Sequence, residues 1–228
     1  MAKISKNELK RNEIIEWLKW LKLTTYYFKN NLKVVIITVT SIIFIIIIGS
    51  SILLIKGKNN KLSAAMLSQA VNVYHFGGNQ AGEVSKKSII DSISLLKNVI
   101  EKYPHTQSAS IAYYYLGNLN YQLADYQQSL LYYKDFINKY PNHTLVHSVQ
   151  KNMAYIYEFQ KNFDEAAKIY ENLINTSDID PKQKDSLKLN LARIYELQNQ
   201  LEKAKAIYLQ FPDDEEAQFR LSCLTEKK

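Results

Sequence analysis

A small residue, an aromatic, a second small residue and a tyrosine recur in fixed register, and that recurrence constrains this chain more than any other feature. Gly117, Tyr126, Ser129 and Tyr133 are matched thirty-seven residues later by Ala154, Phe163, Ala166 and Tyr170. Thirty-eight residues further on come Ala192, Leu201, Ala204 and Tyr208. The connecting turn repeats too, as KYPHT at Lys102 to Thr106 and KYPNHT at Lys139 to Thr144. A period in the thirties with small and aromatic residues in register is the pattern of stacked helical hairpins. The aromatic density of Tyr113 to Phe136, where seven of twenty-four residues are tyrosine, is then mostly packing.

Geometry explains the small residues. Antiparallel helices approach closely only where bulk is missing, so Gly117, Ala154 and Ala192 on the first helix of each hairpin are expected to meet Ser129, Ala166 and Ala204 on the second. Tyr133, Tyr170 and Tyr208 lie four residues further along, one turn away, and would fill the space between units.

A second feature stands apart from the repeats. Val34 to Ile55 is a run of twenty-two residues without a charge, bracketed by Lys33 and Lys56. As a helix it would be about 33 Å long, against a hydrocarbon core of about 30 Å. Its sixteen Ile, Leu, Val and Phe outweigh five hydroxyls and one glycine in transfer free energy, so a single membrane span is expected. A cleaved signal has a shorter apolar run, and a buried core helix of this length normally keeps a polar edge. Upstream, Ile14, Trp17, Leu18, Leu21 and Phe28 form one helical stripe beside Trp20, Tyr26 and Tyr27, suited to the membrane surface or to a cytoplasmic partner.

Charge follows the same division. The formal net charge is +7, yet residues 1–33 carry eight Lys or Arg against three Glu, and Lys56, Lys58 and Lys61 add three more. The remainder is nearly neutral, so the basic excess suits anionic lipid headgroups rather than nucleic acid. The Lys/Arg bias favours a cytoplasmic amino terminus and a large domain on the other side of the membrane. The expected organisation is a basic amphipathic segment at 1–33, a span at 34–55, a linker at 56–61 and a helical-hairpin domain at 62–228. In that domain Leu62–Phe76, Ser85–Tyr103 and the hairpin helices from Gln107 onward are expected. Thr106 is read as a cap, and a last helix following Asp213–Glu216 closes the stack.

The spacing resembles the tetratricopeptide repeat (TPR). Tyr113, Leu116, Gly117, Tyr126, Ser129, Tyr133 and Pro141 follow its pattern in one unit. Ala154, Tyr157, Phe163, Ala166 and Tyr170 follow it in the next, and Leu191, Ala192, Tyr195, Leu201, Ala204 and Tyr208 in the third. Ser92, Leu96 and Pro104 suggest a degenerate first unit, and Asn120 departs from the usual Tyr. The resemblance implies an all-α, TPR-like solenoid of antiparallel hairpins behind a transmembrane helix. It also implies a concave face lined by Tyr114, Asn118, Tyr121, Lys151, Tyr155, Glu158, Arg193 and Glu196, offered to protein partners. Tyr114 occupies the place of the first lysine of a carboxylate clamp, so capture of a partner's terminal carboxylate is not expected.

Catalytic chemistry finds no constellation. His143 and His147 have i,i+4 spacing, but Thr144 stands where a metalloprotease carries its Glu, so no metal, cofactor or enzymatic activity is expected. Cys223 is the sole cysteine, which precludes an internal disulfide and reads as a small packing residue. The resemblance extends to bacterial membrane-anchored TPR scaffolds facing the periplasm, beside secretion machinery or chaperones, or in the collar of a flagellar motor. The partners it implies are envelope-complex subunits, secreted or unfolded chains, further copies of the protein itself, and the lipid bilayer. A cytoplasm-facing adaptor of reversed topology is the alternative.

Overall fold

The computed structural model describes residues 6–77 and 85–226, which form ten α-helices and no strand among the described residues. The chain divides into two compact units, Met1–Lys58 and Asn59–Lys228.

The first unit holds α1 (Lys6–Asn30) and the apolar part of α2 (Leu32–Phe76). Ile14, Trp17, Leu18, Leu21 and Phe28 are all exposed along α1. The most apolar window of α2 has a mean hydropathy of 2.7, with none of it buried, and by length and composition the helix can cross a membrane. Its polar groups are hidden by local bonding. Thr38, Thr40, Ser41, Ser50 and Ser51 each donate to a backbone carbonyl three or four residues back, at 2.8 to 2.9 Å. A hydroxyl satisfied within its own helix asks nothing of the surroundings. The segment 56–61, expected as a linker, is helical. Gly57 is its one weak helix former, costing about 1 kcal/mol, and such a lone residue does not end a helix.

In the second unit the remainder of α2 is followed by α3 (Lys86–Lys102), α4 (Gln107–Gln122), α5 (Tyr126–Lys139), α6 (Val146–Phe159), α7 (Phe163–Asn175), α8 (Pro181–Leu197), α9 (Leu201–Tyr208) and α10 (Glu215–Glu226). The helix starts are legible chemistry: Ser85, Thr106, Asp125, Asn162 and Asp180 each accept a bond from a backbone N–H of the first turn. Helix α6 begins at Val146, two residues after Thr144. His143 Nδ1 accepts from the Leu145 N–H at 3.1 Å, which holds that residue in the turn. Gly77 ends α2 beside Ser88, where an added Cβ would lie 2.6 Å from the Ser88 Cβ.

Each hairpin turns in the same way. Ala124, Lys161 and Asn199, seven residues beyond Gly117, Ala154 and Ala192, adopt φ of 60°, 59° and 59°. The next residue's N–H then reaches back five positions, from Asp125 to Asn120, Asn162 to Tyr157 and Gln200 to Tyr195, at 2.8 to 2.9 Å. This left-handed closure satisfies carbonyls that the helix end leaves free.

The core runs through the unit as successive clusters. Ala70, Ile89, Ile93, Leu96, Val99, Ala112, Leu116 and Leu119 form the first. Tyr133, Phe136, Val149, Met153 and Ile156 dominate the second, and Tyr170, Leu173, Leu191, Ile194 and Tyr208 are prominent in the third. The close crossings fall where small residues meet. Ser129 Oγ donates to the Gly117 carbonyl at 2.7 Å, while Ala154, Ala166, Ala192 and Ala204 are completely buried. The first hairpin, only suggested by Ser92, is built the same way: Ser92 Oγ donates to the Ala70 carbonyl at 2.9 Å. Asn120, the departure from the usual Tyr, is buried and turns its amide onto the Leu116 carbonyl at 2.6 Å. Cys223 lies half-buried on α10.

Candidate protein-binding groove

Counting from the small residue of each first helix gives the register of one face. The residue one position on is Asn118, Tyr155 or Arg193; four positions on it is Tyr121, Glu158 or Glu196. From Ala70 the same count of four reaches Tyr74 on α2. Beneath these side chains lie the tyrosines of the second helices, and the three hairpins treat them differently.

In the first of the three, Gly117 leaves room for the Tyr133 ring, since an added Cβ would sit 2.2 Å from its Cε1 atom. The ring is 1% exposed, and its hydroxyl donates to Asn118 Oδ1 at 2.5 Å. Asn152 Nδ2 bridges the same pair, at 3.2 Å to Asn118 Oδ1 and 3.3 Å to the Tyr133 hydroxyl. Burial pushes the Tyr133 hydroxyl up to about 12, against a smaller opposing effect of the Asn152 hydrogen bond. Above this floor opens a cavity of about 340 Å³, walled by Tyr74, Tyr115, Tyr121 and Tyr155 with Asn118 and Asn152. Gln122 Nε2 donates to the Tyr74 hydroxyl at 2.8 Å and closes one side.

The middle hairpin buries Tyr170 completely. Its hydroxyl is enclosed without a hydrogen-bond partner among the described residues, and burial drives its pKa well above the ordinary tyrosine value. Tyr155 stands edge-on to it with ring centroids 6.4 Å apart. Glu158, at the position equivalent to Glu196, faces the Arg193 guanidinium in a two-pronged pair, Nη2 to Oε2 being 2.9 Å. In the third hairpin Tyr208 donates its hydroxyl to Glu196, and Arg220 stands 3.5 Å from the same carboxylate while its Nε donates to Glu216 at 3.0 Å. Burial and then the Glu196 bond raise the Tyr208 pKa beyond the ordinary range. Nearby, Tyr195 donates to Glu171 Oε1 at 2.6 Å, and burial with that bond brings its hydroxyl to about 12.

The expected groove residues are therefore brought together in part. Asn118, Tyr121 and Tyr155 share the cavity. Tyr114 does not line it and packs edge-on against Tyr115 with centroids 6.0 Å apart. Lys151 borders a separate depression of about 190 Å³ with His147, Ile179 and Gln183. Glu158 and Arg193 are engaged with each other, and Glu196 with Tyr208 and Arg220, rather than offered free. Tyr74, Tyr115, Gln122 and Asn152 were missed. Tyr74 had a signal, its place four residues after Ala70, obscured because the degenerate first unit is legible only at Ser92, Leu96 and Pro104. His147 Nε2 lies 3.8 Å from Asp178, and no cluster of three metal-binding groups occurs among the described residues.

Residues 111–143, 152–177 and 185–214 match the family model of the tetratricopeptide repeat. The matched segments cover less than half of the chain, and the three hairpins on which they fall carry repeats similar to the tetratricopeptide repeat. Among solved structures, the MamA RS-1 ArsTM double mutant is 14% identical with a TM-score of 0.54, covering 74% of this chain and 84% of that one. The nearly identical TPR-like repeats of a Podosopora anserina protein assigned as a kinesin light chain are also 14% identical, with a TM-score of 0.53 over 74% of this chain and 87% of that one. Both show the fold alone. No curated protein is significantly similar to the chain. TPR domains bind other proteins, so the coarse function is that of a protein–protein interaction scaffold.

Proposed function

We propose that the protein is a membrane-anchored scaffold whose TPR domain, held outside the cytoplasm, gathers other proteins into an envelope complex. The observation that carries the binding half is the tyrosine-walled cavity across α2, α4, α5 and α6, bordered by Asn118, Tyr121 and Tyr155. Large, fairly rigid tyrosine rings with a hydroxyl handle are favoured contact residues because they order few torsions on binding. Support for the anchor comes from the apolar part of α2, fully exposed in the isolated chain, with every hydroxyl bonded within its own helix. Tethering confines bound proteins to the membrane plane and raises their effective concentration without any new contact. The Lys/Arg excess of residues 1–33 supports a cytoplasmic amino terminus and a periplasmic domain in a bacterial inner membrane. Envelope machines such as a flagellar-motor collar or secretion and chaperone assemblies fit that placement, as does contact between copies of the chain.

The test is photocrosslinking in native membranes from positions 121 and 155, with exposed Lys168 of α7 as control. Protein adducts from the first two positions and not from the third support the reading. Absence of adducts at both groove positions overturns it. Protease added to intact spheroplasts should digest the TPR domain, and full protection would reverse the topology.

A further inference from the structure

The face of the TPR domain changes chemistry from one hairpin to the next. At the α6–α10 end its charged side chains are already paired: Glu158 with Arg193, Glu196 with Tyr208 and Arg220, Arg220 with Glu216. A ligand charge arriving there must break a half-buried pair and leave the other partner exposed to a low dielectric, which is costly. At the α2–α6 end the cavity is open and lined wholly by uncharged residues: five tyrosines, two asparagines, one glutamine and one leucine. The groups that perturb Tyr133 at its base are the neutral side chains of Asn152, Ser129, Tyr114 and Tyr121, whereas Tyr170 and Tyr208 feel Glu158, Glu196, Arg193 and Arg220.

The floor of the cavity is half-satisfied in a specific way. Asn118 Oδ1 accepts from both Tyr133 and Asn152. That leaves the Asn118 amide N–H groups and the Asn152 carbonyl oxygen without partners among the described residues, a donor and an acceptor on two residues that both line the cavity. A carboxylate offers only acceptors and an ammonium only donors, and neither finds a counter-charge in the wall. A phenol offers one donor and an acceptor oxygen on a flat ring, and four tyrosine walls supply the edges and faces on which such a ring packs. The volume of about 340 Å³ admits one such side chain with room for its backbone.

We propose that this cavity is a subsite for one uncharged aromatic side chain bearing a hydroxyl, a tyrosine of the bound partner, and that it excludes acidic and basic side chains. Tyr74 makes the end of α2 part of the site, so the subsite spans the junction between the anchor-bearing helix and the first matched repeat. The inference deepens the scaffold reading and rests on it.

The full chain in detergent micelles, labelled on asparagine side-chain amides, is titrated with N-acetyl-tyrosinamide, N-acetyl-aspartamide and N-acetyl-lysinamide. The tyrosinamide is expected to shift the Asn118 and Asn152 resonances and to bind at least tenfold more tightly than either charged amide. Asn118→Asp keeps an acceptor for Tyr133 and Asn152 while adding a charge, so it should raise lysinamide binding at least tenfold and weaken tyrosinamide. A thermal melt of the variant confirms that it is folded. Equal binding of the three probes, tighter binding of a charged one, or no shift with any of them overturns the subsite. Photocrosslinking from positions 121 and 155 reads the scaffold separately: adducts without tyrosinamide selectivity sink only the subsite, and selectivity without adducts sinks the scaffold and with it the partner's tyrosine, leaving a phenol-binding cavity.

Discussion

Tyr170→Phe should stabilise the protein, although it removes a polar group from a fully buried, repeat-defining residue. The Tyr170 hydroxyl is enclosed without a partner among the described residues, while the equivalent hydroxyls of Tyr133 and Tyr208 donate to Asn118 and Glu196. A buried polar group without a partner costs about 1–3 kcal/mol relative to water, and phenylalanine preserves the ring that packs in the core. Removing the oxygen should therefore gain about 1 kcal/mol, which in a domain of this size raises Tm by about 2–4 °C. Tyr133→Phe and Tyr208→Phe should each lose about 1 kcal/mol, since both leave an acceptor short of its donor. The register adds a sign test. Glu158 occupies the position equivalent to Glu196 but is held by Arg193. With Arg193→Met, Glu158 becomes free to accept from Tyr170 as Glu196 does from Tyr208, and Tyr170→Phe should then destabilise instead. Thermal melts of the full chain in mild detergent, followed at 222 nm, supply the comparison. If Tyr170→Phe lowers Tm in the wild-type background by as much as Tyr133→Phe does, the hydroxyl has a partner and the reasoning fails.

Gly117→Ala should destabilise by about 1–2 kcal/mol in denaturant titration, because overpacking against the Tyr133 ring exceeds the roughly 1 kcal/mol that alanine gains in a helix. Lys161→Gly should stabilise by about 1 kcal/mol, as glycine adopts the left-handed φ of 59° without a Cβ conflict; a loss of stability would mean that the turn differs. Tyr133 and Tyr195 have pKa values raised to about 12 from 10.0, so their protonated forms favour the folded state. Their contribution is complete below about pH 10 and is lost as pH rises toward about 12, and Tyr133→Phe should flatten the alkaline slope of Tm by close to one proton.

Much of the fold was legible because its determinants are local. Caps at Thr106, Asp213–Glu216 as the approach to α10, and the small-residue register all act within a few residues of where they are read. The linker at 56–61 was misjudged because Gly57 and two asparagines look like punctuation in sequence, yet no proline interrupts the helix there. The groove was harder to read. A repeat pattern tells which positions face one way, but not whether their side chains are spent on each other. Arg193 and Glu158 lie thirty-five residues apart, so their pairing is visible only when α6 and α8 are packed together. Tyr74 and Gln122 meet across forty-eight residues for the same reason. Tyr114 was transferred by position alone, and its neighbour Tyr115 proved to be the one that reaches the cavity.

The tyrosines divide into those that hold the repeats together and those that the proposed scaffold turns toward a partner, and residue-resolved acetylation with N-acetylimidazole followed by mass spectrometry tests that division most directly. Tyr133, Tyr170 and Tyr208, at most 1% exposed, should resist modification both in purified protein and in native membranes. Tyr121 and Tyr155, 41% and 37% exposed, should react in purified protein and become protected in membranes where the partner is bound. Modification of the three core tyrosines at rates matching Tyr121, or unchanged reactivity of Tyr121 and Tyr155 between the two states, would contradict it.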